Sequence, residues 1–175
     1  NEIYDFANYA FNKAHAVSYA IVTYWTAYFK YHYPREYMAA LLTSVLDSSD
    51  KVAAYIGECK EMDIPFLPPD VNESGPDFTV VAEGIRFGLV GVKGVGRGLI
   101  DAMAAEREKN GLFRSFQDFC ERMYDHDLNR RALENLIRCG SFDSMKVRRS
   151  QLLAVMNPVM DGIAAARKRN LEGQF

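Results

Sequence analysis

Val92-Lys93-Gly94-Val95-Gly96-Arg97-Gly98 follows a short apolar run and opens a helical pattern. Its first two glycines flank one apolar residue, and a basic side chain stands on either side of that trio. Lacking Cβ atoms, Gly94 and Gly96 accept positive φ and let another backbone come close. The spacing predicts the hairpin of a helix-hairpin-helix, with main-chain N–H groups and the positive end of the helix that begins near Gly98 turned outward. Such a turn suits an anion, and a phosphate oxygen of a nucleic-acid backbone above all. Two other readings of Gly-x-Gly stay open. One is an ordinary capping turn; the other is a nucleotide-binding loop, which calls for a buried parallel strand ahead of it and a wider glycine spacing.

The flanks fit the hairpin. Phe78-Thr79-Val80-Val81 and Ile85-Arg86-Phe87-Gly88-Leu89, separated by Ala82-Glu83-Gly84, predict a small β-hairpin that must dock on helices, because two strands alone are marginal. After the glycine turn, Leu99, Ile100, Met103 and Ala104 mark a helix stopped by Gly111. Ser115-Phe116-Gln117-Asp118 predicts a capped start for another, with Phe119, Cys120 and Met123 inward. Leu128-Asn129-Arg130-Arg131 then precedes Leu133, Leu136 and Ile137, with Gly140 just past the end: a second helical hairpin without the glycine pair. Stacked with pseudo-twofold symmetry, the two would each present a helix N-terminus to one strand of a duplex, the second through Asn129, Arg130 and Arg131.

Further upstream the pattern predicts three helices. From Lys13 to Tyr33 the residues Val17, Ala20, Ile21, Tyr24, Trp25 and Tyr28 fall on one helical face and are expected to form a core stripe. Pro34 sits where a first turn tolerates it. Met38, Leu41, Leu42 and Val45 mark the second helix; Val52, Tyr55, Ile56 and Cys59 mark the third, starting near Ser49-Asp50. The rings of Tyr19, Tyr24, Trp25, Tyr28, Phe29, Tyr31 and Tyr33 are more than one stripe can hide, so some are expected to meet another domain or a ligand. Three prolines at Pro65, Pro68 and Pro69 favour an extended linker and a domain boundary.

Composition bounds the class. The chain has 175 residues, 49% hydrophobic, and a formal net charge of −2, enough apolar material for a real core. No apolar run approaches a membrane span and the first residues lack a signal-peptide pattern, so a cytoplasmic protein is expected. Cys59, Cys120 and Cys139 are widely spaced on apolar phases, supporting neither a disulfide framework nor a zinc site. Residues 61–110 are net acidic and residues 111–175 net basic, so any phosphate contact is local. Arg148-Arg149 and Arg167-Lys168-Arg169 read equally as solvated helix surface or phosphate contacts. The lack of an initiating Met, and an end without a closing element, suggest a piece of a longer polypeptide.

Phe11-Asn12-Lys13-Ala14-His15-Ala16, the run from Tyr24-Trp25 to Tyr33-Pro34, Leu67-Pro68-Pro69-Asp70-Val71-Asn72, Ile85 to Gly88 ahead of Gly94-Val95-Gly96, and Leu136-Ile137-Arg138-Cys139-Gly140-Ser141-Phe142-Asp143 together resemble the C-family replicative polymerases, the alpha subunits of bacterial DNA polymerase III. The resemblance runs nearly end to end, with matching order and spacing. Ala14 and Trp25 depart from it, standing where many members carry Ser and Gln. It implies a mainly α fold: the C-terminal part of a helical fingers domain over residues 1–63, a Pro-rich linker over 64–77, a tandem helix-hairpin-helix DNA-binding domain with one small β-hairpin over 78–156, and a C-terminal helix and cut linker over 157–175.

The activity so implied is template-directed DNA synthesis by the complete subunit, a nucleotidyltransferase using two divalent metal ions, expected to be Mg, on palm-domain carboxylates. Nothing in this chain matches those carboxylates. No catalytic residue, metal ligand or cofactor is therefore expected within it, and the piece alone is expected to be inactive. The implied partners are primer-template duplex DNA and the remainder of the alpha subunit, with no membrane. A sliding clamp is expected for the complete protein but not for this piece, whose Gln174 would open the clamp motif without its anchor. The DNA contacts are expected at Lys93, Gly94, Val95, Gly96, Arg97, Gly98, Asn129, Arg130 and Arg131. Lys13 and His15, at the positive end of the long aromatic helix, are candidates to face the nucleotide; the alternative is a solvated lysine and a capping or core imidazole, with Asn12 as the helix cap. Two rivals stay open: an error-prone or repair polymerase of the same family, and a protein-docking scaffold that keeps the hairpin fold without binding DNA.

Overall fold

The computed structural model describes residues 13–46 and 48–172. The expected mainly α architecture is present: the described residues form seven α-helices and one small sheet, arranged around two hydrophobic cores.

The first core belongs to the N-terminal group. α1 (Lys13–His32) leads into α2 (Pro34–Ser44), with Pro34 in its first turn, and then into α3 (Ser49–Glu61). Met38, Ala39 and Leu42 of α2 and Cys59 of α3 are buried against Ile64, Phe78 and Ile85. The second and third apolar stripes are thus core. The first is not: Val17, Tyr24 and Trp25 are 60%, 65% and 56% exposed, and Ile21 and Tyr28 are also open. The helix carries no charged side chain between His15 and Lys30, so it is apolar all round, whereas its neighbours can cover only one edge. Its C-terminal end is tied down by the Lys30–Glu58 ion pair to α3 and by the Tyr33 N–H donating to Phe29 O.

β1 (Phe66–Leu67), β2 (Thr79–Val81) and β3 (Gly84–Arg86) form a sheet of order β1-β3-β2, antiparallel between β2 and β3 and parallel between β1 and β3. The expected hairpin is present, but its second arm ends at Arg86 instead of Leu89. The reason is capture: the Leu89 and Val90 N–H groups donate to Gly75 O and Pro76 O at 2.9 and 3.1 Å, and this bends the chain into a 3-10 turn at Leu89–Gly91.

The same contacts show what the proline-rich stretch does. It is extended, as expected, yet packed along its length. Pro65 O and Leu67 O accept from the Ile85 and Phe87 N–H groups at 2.9 and 3.0 Å, an edge position that tolerates a missing proline donor. Beyond it, Asn72 exchanges two hydrogen bonds with the Phe113 main chain, at 2.8 and 3.0 Å. The buried Ser74 hydroxyl donates to Phe87 O, and Arg107 reaches Val71 O and Ser74 O. Phe87 packs against both cores and so joins them.

The second core lies among α4 (Arg97–Asn110), α5 (Phe116–Met123), α6 (Arg130–Arg138) and α7 (Arg149–Glu172). Phe113, Phe119 and Phe142 stack edge to face at its centre, with ring centroids 4.9 and 5.0 Å apart, flanked by the fully buried Met103, Leu133, Leu136 and Ile137. Gly111 ends α4 with φ 78°, and the Ser115 hydroxyl accepts the Asp118 N–H at 3.1 Å to cap α5. The Asp118 carboxylate reaches back to the Arg114 N–H, one residue further than an ordinary capping box. α7 runs unbroken across residue 156, with Met156, Met160 and Ile163 all buried in this core. Cys59 and Cys120 are buried and Cys139 is half-buried; burial pushes the Cys120 thiol up to about 12, which suppresses its thiolate.

Two carboxylates give this unit an acid-sensitive edge. Asn110 and Arg122 donate to Glu106, and Arg149 donates to Asp143, so both carboxyls sit below their ordinary range. The unfolded chain therefore takes up these protons first. The stabilisation is present in full above roughly pH 5 and is lost as pH falls through the lower folded values. Urea unfolding at pH 7 and pH 3 should give a lower midpoint at pH 3. The drop should shrink in the Glu106→Gln/Asp143→Asn double variant, and an undiminished drop would assign the acid sensitivity to other groups.

Candidate nucleic-acid interface

The glycine turn is anchored from below and open above. Val92 and Val95 are buried, pinning the turn to the second core, while Lys93, Gly94, Gly96, Arg97 and Gly98 are exposed. Only Gly94 needs its glycine for conformation, with φ 80°. Gly96 has φ −76° and ψ 150°, ordinary extended backbone, so positive φ is not the role of the second glycine. It stands at the N-cap of α4, where it supplies no capping side chain. A Cβ built there meets nothing within 4 Å. Among the described residues no hydrogen bond uses the N–H of Gly96, Arg97 or Gly98. Three main-chain donors at a positive helix end therefore face solvent with no side chain in front of them.

The second hairpin is built differently. Asn129 Oδ1 accepts the Ala132 N–H at 2.9 Å, so α6 caps its own N-terminus. Arg130 points to α7, donating to Asn157 Oδ1 at 2.6 Å and pairing with Asp161. Arg131 lies toward the first hairpin, its Nε 3.9 Å from the position of a Cβ on Gly94. Of the expected contact residues, the structure thus gathers Lys93, Gly94, Val95, Gly96, Arg97, Gly98 and Arg131; Asn129 is occupied as a cap and Arg130 by α7. Lys93, Arg97 and Arg131 make no ion pair among the described residues, leaving two cations on the turn and a third against Gly94.

Motif reading missed Asn135, whose Nδ2 donates to Lys93 O at 2.6 Å and ties α6 to the turn. In the sequence it is one more polar residue beside Arg131 and Arg138 on the polar side of an amphipathic helix, which gives no signal of a contact with the turn. Lys93, Asn135 and Arg138 also border a shallow groove floored by Phe87, Val92 and Cys139.

The other basic positions divide. Arg149 is held by Asp143 and by Arg138 O, and Arg167 by Asp125 with its guanidinium over the Tyr124 ring at 5.1 Å, whereas Arg148 and Arg169 are exposed. On α1, His15 is exposed and its ring lies 4.3 Å from that of Tyr19. The side chain of Lys13, along with Asn12 and Gln174, lies outside the described residues.

A turn of this shape, leading from a 3-10 turn into α4 and backed by a second hairpin, matches the family model of the helix-hairpin-helix motif over residues 63–152, just over half of the chain. The chain belongs to the helix-hairpin-helix family. Its curated relatives extend the likeness to nearly every residue. It is 47% identical to the DNA polymerase III alpha subunit of Thermus aquaticus over 99% of the chain, 46% identical to that of Saccharopolyspora erythraea over 97%, and 43% identical to that of Mycobacterium tuberculosis strain H37Rv over 99%. The polymerase resemblance carried by the separate motifs is thereby borne out. The chain spans about 14% of the length of the first two relatives and 15% of the third. The family match begins at residue 63, so α1 to α3 lie outside it, although the polymerase relatives cover them.

Proposed function

We propose that this chain is a segment of a bacterial replicative DNA polymerase alpha subunit, and that its hairpin unit grips duplex DNA behind the active site through the phosphate backbone. The observation that carries this is the unblocked N-terminus of α4, with its N–H groups at Gly96, Arg97 and Gly98, bracketed by the unpaired Lys93, Arg97 and Arg131. Main-chain donors recognise phosphate and not base identity, so the grip is independent of sequence and permits sliding while slowing dissociation. That is a contribution to processivity.

The activity of the whole protein is template-directed DNA synthesis in the cytoplasm. Among the described residues no three His, Cys, Asp or Glu side chains group to hold a metal ion. No helix among the described residues is long and apolar enough to cross a membrane. The open faces of α1 belong against the remainder of the longer subunit, because an all-round apolar helix is stable only when covered. With Lys13 and His15 at its start, α1 would face the incoming nucleotide in the complete enzyme.

Titration of a short labelled duplex by fluorescence anisotropy, at low and moderate salt, tests the grip. Binding should weaken steeply with salt, and the Lys93→Ala/Arg97→Ala variant should flatten the log–log slope by about 1.8, since each neutralised phosphate contributes about 0.9. An unchanged slope would remove the phosphate role. The net acidic stretch at residues 61–110 favours a second reading, a protein-docking scaffold. That reading gives no salt-dependent duplex binding in the same titration.

A further inference from the structure

We infer that Asn135 is the positioning residue that holds the phosphate-facing turn in its binding shape; the functional half of this inference rests on the duplex-binding reading above. α6 is a rigid support, since its Leu133, Leu136 and Ile137 are fully buried in the second core. From it the Asn135 carboxamide donates to Lys93 O at 2.6 Å, and no main-chain donor among the described residues bonds that carbonyl. The peptide joining Lys93 to Gly94 is therefore oriented by a side chain from the other hairpin. Rotation of this peptide changes φ of Gly94, now 80°, and re-aims every amide that follows it.

Sterics point the same way. The Asn135 Nδ2 lies 2.9 Å from where a Cβ on Gly94 would stand. The amide fills the space that a side chain at 94 would need, so glycine is required there both for its conformation and for the approach of Asn135. Two backbone bonds bracket the turn, Val95 N–H to Val92 O at 3.1 Å and Ile100 N–H to Gly96 O at 3.2 Å, but neither engages the Lys93 carbonyl, whose orientation is left to Asn135. Arg131, one helical turn before Asn135, is delivered to the same place. Asn135 is neutral, so it releases no counterion on binding. Its effect on affinity is carried by the geometry of other groups.

Asn135→Ala separates these roles through two measurements on the free and DNA-bound protein. Amide hydrogen exchange at Val95 should quicken about tenfold, while the amides of Phe119 and Leu133 in the core stay at wild-type rates. Duplex affinity should fall about fivefold to tenfold with the salt slope unchanged. In a Gly96→Val background, where the phosphate site is blocked, the same substitution should change affinity no further. Wild-type exchange at Val95 overturns the inference, as does a general acceleration that includes Phe119 and Leu133. A flattened salt slope overturns it too, by making Asn135 part of the charged contact surface. If the wild-type protein shows no salt-dependent duplex binding, the duplex reading fails and the exchange rates alone decide the latch. Asn135→Asp, which keeps the shape but places a carboxylate against Lys93 O, should repeat the Val95 acceleration.

Discussion

Gly96→Asp should give a protein that is more stable than the wild type and unable to hold duplex DNA. An aspartate at the N-cap of α4 accepts from the free N–H groups one turn on and sits favourably at the positive helix end, worth about 1 kcal/mol. The backbone at 96 already has φ −76°, and a Cβ there meets nothing within 4 Å, so no strain opposes the change. The same carboxylate occupies the donors that a phosphate would use and repels it. Losing two charge-assisted hydrogen bonds of about 1.5 kcal/mol each lowers affinity about 100-fold. Gly96→Val should also block the approach, by bulk, with stability within about 1 kcal/mol of wild type. Gly94→Ala behaves in the opposite sense: φ of 80° and the Asn135 amide 2.9 Å from the new Cβ should cost stability of about 1–2 kcal/mol. Urea unfolding alongside anisotropy checks all three. A Gly96→Asp protein that binds DNA as tightly as wild type would show that the α4 amides carry no phosphate.

The largest loss of stability is expected from Arg122→Ala, at about 3 kcal/mol. Arg122 has only 16% of its side chain exposed, with Nε 3.0 Å from Glu106 Oε1 and Nη2 2.9 and 2.8 Å from Glu106 O and Gly111 O. Its guanidinium also lies 4.4 Å from the centre of the Phe113 ring. Planar and five-donored, it closes the last carbonyls of α4 onto α5, a fork that lysine cannot reproduce. Removing it leaves the Glu106 carboxylate, 15% exposed, without its cation, so Glu106→Gln/Arg122→Ala should lose less than the sum of the separate changes. A loss below about 1 kcal/mol in a urea melt would mean that water replaces these bonds freely.

Arg122 and Asn135 illustrate what was not legible in the chain. Each looks like a solvated polar residue on an amphipathic helix, since periodicity reports which way a side chain points and not what it meets. Arg130 and Arg131 are adjacent and alike in sequence, yet one is taken by Asp161 of α7 and the other lies beside Gly94. A helical advance of about 100° between neighbours sends them to different surroundings. The proline-rich stretch suffered the converse error. Three prolines correctly signal extended chain, but its free carbonyls are what pair it to β3, and the pairing lies about 20 residues downstream.

Local physics determined the elements themselves: the helix periods of α2 to α6, the stops at Gly111 and Gly140, the caps at Ser115 and Asn129, and a glycine turn ahead of a helix. These depend on contacts within a few residues, which the order of side chains dictates. Tertiary structure alone decided that the described faces of α1 stay exposed, that Arg130 is taken by α7 while Arg131 lies beside Gly94, and that the Lys93 carbonyl is held from α6. Each of those outcomes turns on which surface arrives from a distant part of the chain, such as Asn135 arriving at Lys93, and no short-range pattern encodes that arrival.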